Sequence, residues 1–130
     1  MAETANFSKI PNLEGVTLSS GNTAINGTGT ILVGFTGAAN GSRVDKISFK
    51  TSTSSATTNM ARVFVRKNTG STWKLITEVK LSNKGSSESI ATSEEWLTFP
   101  DGIALPAGAQ MGYSCHNSAR IDVVTFGGNY

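Results

Sequence analysis

The most regular stretch of the chain runs from Trp73 to Leu81. Trp73, Leu75, Thr77, Val79 and Leu81 take alternate positions, with Lys74, Ile76, Glu78 and Lys80 between them. Successive side chains of a strand point to opposite sides. This period therefore predicts a half-buried strand with Trp73, Leu75 and Val79 inward, whereas a helix of about 3.6 residues per turn would scatter them. Just upstream, Ala61, Val63 and Val65 alternate with Arg62, Phe64 and Arg66. Lys67-Asn68-Thr69-Gly70-Ser71 then offers a turn, with Gly70 suited to a left-handed backbone. Residues 60–81 read as a β-hairpin.

Shorter patterns of the same kind fill the rest of the chain. Val16 to Ser19 forms a first short strand, and Thr30 to Thr36 is apolar or small on both sides, as a covered strand would be. Arg43 to Lys50 places Ile47 and Phe49 opposite Lys46, Ser48 and Lys50, while Val44 breaks the alternation and predicts a bulge near Asp45. Thr51 to Thr58 is a Ser/Thr-rich loop. Glu95 to Phe99 is a strand that Pro100-Asp101-Gly102 should end. Gln110 to Cys115 alternates Met111, Tyr113 and Cys115 against Gln110, Gly112 and Ser114, and Arg120 to Phe126 is the last strand. About eight strands at this spacing, with no helix-length segment between them, predict an all-β, antiparallel β-sandwich with a jelly-roll-like layout.

Residues 1–15 carry no convincing period and are punctuated by Pro11 and Gly15. They read as an extended N-terminal arm, frayed or ordered on a partner, ahead of a single domain over 16–130. Phe7, Ile10 and Leu13 recur every third residue along this arm.

Composition narrows the function classes. A formal charge of +2 is too small to imply a nucleic-acid or membrane partner. The single cysteine excludes an internal disulfide framework, so packing must hold the fold. No apolar run has the length of a membrane span or a signal-peptide core, which suits synthesis in a cytoplasm.

Candidate chemistry is sparse. His116 adjoins Cys115, but strand neighbours point to opposite faces, so a Cys–His catalytic pair is not expected and Cys115 reads as a buried thiol. Glu94 and Glu95 beside Trp96 are adjacent, unlike the separated carboxylates that flank a scissile sugar bond. One histidine and one cysteine are too few for a zinc site, and Asp45, Asp101 and Asp122 are too scattered for a calcium loop. The sequence predicts no enzyme, no metal and no cofactor. Two surface features stand out. Lys46, Lys50, Arg62 and Arg66 form a basic stripe if their strands pair with those faces aligned; otherwise they are solvated faces. Trp73 and Trp96 suggest a sugar-stacking platform, although Trp73 shares parity with core residues and Trp96 suits a rim or interface.

Several segments together resemble small virion proteins of tailed bacteriophages. They are Asn40-Gly41-Ser42-Arg43-Val44-Asp45-Lys46-Ile47, Ala61-Arg62-Val63-Phe64-Val65, Leu105-Pro106-Ala107-Gly108 and the terminal Thr125-Phe126-Gly127-Gly128-Asn129-Tyr130. The likeness covers roughly residues 28–130. It implies a capsid decoration, or cement, protein on the virion surface that binds the major capsid protein. Such proteins often assemble as dimers or trimers and carry no catalytic residues. On that reading Phe7, Ile10 and Leu13 are arm contacts, and Trp96 and Tyr130 are interface aromatics. A carbohydrate- or receptor-binding module using Trp96 and Tyr113, or a tail or baseplate component, are the alternatives.

Overall fold

The computed structural model describes residues 10–54, 57–82 and 84–130. Eight strands follow one another: β1 (Ile10–Leu18), β2 (Leu32–Thr36), β3 (Ser42–Thr51), β4 (Asn59–Arg66), β5 (Lys74–Leu81), β6 (Glu94–Leu105), β7 (Gln110–Cys115) and β8 (Ile121–Asn129). They form two four-stranded antiparallel sheets, in the orders β1-β8-β3-β6 and β2-β7-β4-β5. First pairs with eighth, second with seventh, third with sixth and fourth with fifth. That is the pairing of one long hairpin rolled up on itself, and the β3–β8 and β4–β7 pairs knit the rolled layers into sheets. The architecture is an antiparallel β-sandwich with jelly-roll strand order.

The space between the sheets is filled by alternate residues of the central strands. Val44, Ile47 and Phe49 of β3 and Ile121 and Val123 of β8 meet Ala61 and Val63 of β4 and Met111, Tyr113 and Cys115 of β7, all fully buried. Each large aliphatic or aromatic side chain placed there stabilises the fold by about 1.5–3 kcal/mol. Tyr113 also carries a hydroxyl into this apolar layer, and it is hydrogen-bonded to Oγ1 of Thr125, which is itself fully buried. Its ring meets Phe49 edge-on, with centroids 6.1 Å apart and planes at 87°.

Three register shifts shape the sandwich. On β3 the shift lies between Val44 and Lys46 and is seen by both neighbouring strands, so Asp45 is the bulged residue, as its sequence context predicts. The facing strand β6 absorbs the same irregularity. Lys46 pairs with Thr98 and Val44 with Ile103, and the chain passes through Pro100-Asp101-Gly102 without ending the strand. The expected stop fails because β6 is an edge strand, where a proline needs no ladder partner on its open side.

On the other sheet, Val63 of β4 faces Thr77 while Phe64 faces Leu75, so Ile76 is skipped. Val63 and its second neighbour Tyr113 point into the core; Phe64 and its second neighbour Gly112 point outward. The bulge thus inverts the parity of β5. Thr77, Val79 and Leu81 face inward as expected, but Leu75 and Trp73 turn to the outside. Trp73 is still buried, at 8% exposure. Its ring lies against Gly112, where a Cβ would come within 2.7 Å of it, and the Arg66 guanidinium sits 4.1 Å from its centroid. The segment 19–31 covers this second, smaller cluster. Asn22 donates its backbone N–H to the Cys115 carbonyl at 2.7 Å, and its side chain ties Thr28 and Thr30, at 2.9 Å each.

β1 begins at Ile10, ahead of the expected start at Val16. Residues 10–15, read from sequence as part of an arm, are extended and paired against β8 over Ile10↔Asn129 to Gly15↔Val124. Residues 1–9, including Phe7, lie outside the described residues.

Candidate functional site

The outward side of the β1-β8-β3-β6 sheet is not uniformly polar. Two cross-strand rows run over it. One is Leu13–Phe126–Lys46–Thr98 and the other is Gly15–Val124–Ser48–Trp96. Trp96 and Phe126 sit on strands separated by β3, yet their rings stack with centroids 5.9 Å apart and planes 28° from parallel. Ser48, the residue between Trp96 and Val124, is small enough to let the indole lean across β3. Lys46 Nζ lies 5.4 Å from the centroid of each ring, so one ammonium caps both. A cation over an aromatic face at an exposed site contributes about 0.5–1 kcal/mol.

This arrangement leaves large apolar groups in water. Leu13 is 61% exposed and Trp96 51%. Beside them Pro11, Leu13, Asp45, Lys46 and Phe126 line an open depression of about 270 Å³. Three carboxylates around the patch have partners. Asp45 pairs with Arg43 at 2.8 Å, Glu94 approaches Lys50 at 4.0 Å, and Asp122 accepts from Thr17 at 2.7 Å and lies 3.8 Å from Arg120. Lys46 has the two rings as its company instead. An apolar centre with a polar rim is the pattern of a protein-binding surface.

Of the residues singled out in the sequence, Leu13, Lys46 and Trp96 are brought together in this patch. Ile10 is 60% exposed but, three positions from Leu13 on the same strand, points to the other side. Tyr130 is half-buried and donates its N–H to the Gly41 carbonyl at 3.1 Å, beside the β2–β3 connection. Phe126, which completes the patch, was not singled out. Its signal was the alternation of Asp122, Val124 and Phe126 against the core residues Ile121, Val123 and Thr125.

The basic residues do not form one stripe. Lys46 and Lys50 are on β3 and Arg62 and Arg66 on β4, and these strands belong to different sheets. Arg62 is buried, at 6% exposure, and is held by three acceptors: Glu78 Oε1 at 3.1 Å, the Asn22 carbonyl at 3.0 Å and His116 Nδ1 at 2.9 Å. Arg66 donates to Gln110 at 2.7 Å while covering Trp73.

Cys115 is fully buried, and its Sγ approaches the Ser20 carbonyl at 3.4 Å. Burial pushes its thiol pKa up, which outweighs the opposing influence of the Asn59 hydrogen bond and the Arg62 charge. A group held as a thiol in this way is a poor nucleophile. His116 is exposed and turned to Arg62 rather than to the sulfur. Tyr113, which the carbohydrate-binding alternative pairs with Trp96, is sealed in the core and offers no surface to a sugar.

Neither a known protein family nor a curated protein matches the chain. Among solved structures, the T13 particle of infectious bursal disease virus is similar at 12% identity and a TM-score of 0.38, over 99% of this chain and 34% of the matched one. A structure of the Gx strain of that virus matches at 13% identity and a TM-score of 0.34, over 96% and 35%. The Gt strain matches at 12% and 0.35, over 98% and 33%. The chain thus spans about a third of the length of those proteins. At these TM-scores the likeness carries no argument, and the jelly-roll assignment rests on the strand order itself.

Proposed function

We propose that this chain is a structural virion protein of the capsid decoration type, which attaches to the assembled major capsid protein through the outer face of β1-β8-β3-β6. The observation that carries the reading is the half-exposed patch of Leu13, Phe126 and Trp96 around Lys46. A sheet face with paired carboxylates at its border and unburied aromatics at its centre suits a protein partner better than it suits bulk water. The resemblance of the 28–130 segments to small phage virion proteins supports the same role. The protein works without catalysis. Two or three copies around a symmetry axis would bridge neighbouring capsid subunits, and many modest contacts would add up through effective concentration.

Co-sedimentation with purified capsids and, separately, with tails of the cognate particle tests this. Saturable attachment to capsids that Trp96→Ala and Leu13→Ser each weaken, with the fold retained, supports the proposal. Attachment to tails alone, or capsid attachment indifferent to both substitutions, overturns it. A glycan array run with the same variants distinguishes sugar recognition, for which the Trp96–Phe126 platform is the relevant surface.

A further inference from the structure

A second site lies on the opposite sheet, independent of the patch above. At the end of the β4–β7 ladder, where His116 N–H donates to the Met60 carbonyl at 2.9 Å, the surface opens into a pocket of about 270 Å³. Its walls include Thr58, Met60, Arg62, Lys80, His116 and Asn117, and among the described residues no carboxylate lines it. We propose that this pocket binds an oxyanion: a phosphoryl group or a carboxylate.

The argument starts from Arg62. A guanidinium is always protonated and only donates, so the contact between its Nη2 and His116 Nδ1 makes that ring nitrogen the acceptor. The imidazole proton is thereby fixed on Nε2, on the side of the ring away from Arg62. His116 lines the pocket and is exposed, which leaves its Nε2–H open to solvent at the pocket's edge. Arg62 brings a buried positive charge whose one carboxylate partner among the described residues is Glu78, engaged at Nε and itself partly solvated. Three of its five N–H groups are taken by Glu78, Asn22 and His116, which leaves Nη hydrogens for a further acceptor. Lys80, opposite Met60 across the β4–β5 pair, adds an ammonium; among the described residues it takes part in no ion pair.

The walls are fixed rather than adaptable. Asn59 Nδ2 donates to the Asn117 and Ala119 carbonyls at 3.1 and 2.7 Å, and its Oδ1 accepts from the Met60 and Asn117 N–H groups at 2.8 and 3.0 Å. Asn117 in turn donates its side chain to the Thr58 carbonyl at 2.9 Å. The backbone wall of the pocket is thus held in place before a ligand arrives, and Arg62 is fixed by its own three bonds, which lowers the ordering cost of binding; Lys80 is free to swing in. A cationic pocket with convergent N–H groups and no competing carboxylate recognises oxyanions by charge-assisted hydrogen bonds.

Titration of the ¹⁵N-labelled full chain with inorganic phosphate, acetate and chloride at constant ionic strength tests the site. The expected result is saturable shifts at the Met60, His116 and Asn117 amides with phosphate or acetate and none with chloride. Preference for phosphate identifies a phosphoryl group as the ligand; equal or tighter acetate binding identifies a carboxylate. Lys80→Ala and His116→Gln should each weaken binding by about fivefold, the effect of removing one exposed charged or polar contact. Lys80 is exposed, so its removal leaves the fold intact, which an unchanged melting temperature confirms. Shifts that chloride reproduces, or that survive both substitutions unchanged, overturn the proposal. Capsid attachment through the other sheet is unaffected by either result.

Discussion

The Trp96 indole and the Phe126 ring stack across an intervening strand, at 5.9 Å, although 29 positions of chain and all of β7 lie between them in sequence. The contact exists because β3 separates their strands by a single ladder width on each side and presents Ser48 rather than a large residue beneath the indole. Because the pair is half in water, it contributes little to folding. Trp96→Ala should cost about 1 kcal/mol, the worth of a stacked pair and a shared cation, and lower the melting temperature by about 4 °C. Its effect on partner attachment should be much larger, since exposed aromatics at the centre of a patch are the usual anchors of an interface. Thermal melting and capsid co-sedimentation, run on the same variant, separate the two. A large melting shift would mean that the aromatic pair is a folding element rather than a binding one.

Gly34 is the extra residue in the β2 register shift, and a Cβ there would stand 2.0 Å from Cε2 of Tyr113. The ring cannot retreat, because Phe49 meets it edge-on and Thr125 holds its hydroxyl. Gly34→Ala should therefore destabilise the fold by about 3 kcal/mol, at the upper end of overpacking costs. Urea denaturation measures this directly. In a Tyr113→Leu background the same substitution should cost clearly less, since the colliding ring edge is gone. Equal costs in both backgrounds would show that the penalty arises in the β2 backbone instead.

How much of this was legible in the sequence depended on whether neighbours in the chain are neighbours in space. The β4–β5 hairpin and the Asp45 bulge are local, and their alternation patterns foretold both. The inward assignment of Trp73 failed because a bulge at Ile76 leaves no trace in an otherwise perfect two-residue period. The early start of β1 was hidden because Ile10 to Gly15 gain their order from β8, at the other end of the chain. Leu13 and Trp96 could be suspected one at a time as apolar residues without a core partner. Their convergence on Phe126 required the strand order, which a single sequence does not encode in readable form. The basic residues failed as a stripe for the same reason, since β3 and β4 are consecutive in the chain and lie in opposite sheets.

Arg62 fastens the 19–31 segment to the sheet through the Asn22 carbonyl, so its loss should loosen that segment first. Arg62→Ala should cost about 2 kcal/mol. That is less than breaking a fully buried ion pair, because Glu78 keeps access to water. Hydrogen exchange should show the Asn22 and Ala24 amides opening about tenfold more than the Ile47 amide in the core, whose protection follows only global stability. A uniform change at all three positions would mean that Arg62 stabilises the sandwich as a whole and not the segment.

Alkaline pH should unfold the protein through two buried acids. Tyr113 and Cys115 both become charged by losing a proton, and burial pushes the pKa of each up, from ordinary values of 10.0 and 9.0. The folded state therefore keeps protons that the unfolded chain releases. The stabilisation is fully present below the unfolded values and is lost as pH rises past them, beginning near 9 for the thiol and near 10 for the phenol. Within such a window each group lowers stability by up to about 1.4 kcal/mol per pH unit. Urea midpoints measured from neutral pH upward should stay level with respect to these groups and then fall. Cys115→Ala should delay the onset of the fall, and Tyr113→Phe should flatten the steeper part above it, although Tyr113→Phe lowers the whole curve by orphaning the buried Thr125 hydroxyl. Contributions of other groups are common to all variants and cancel in the comparison. An alkaline slope identical in wild type and the double variant would place the sensitive group elsewhere.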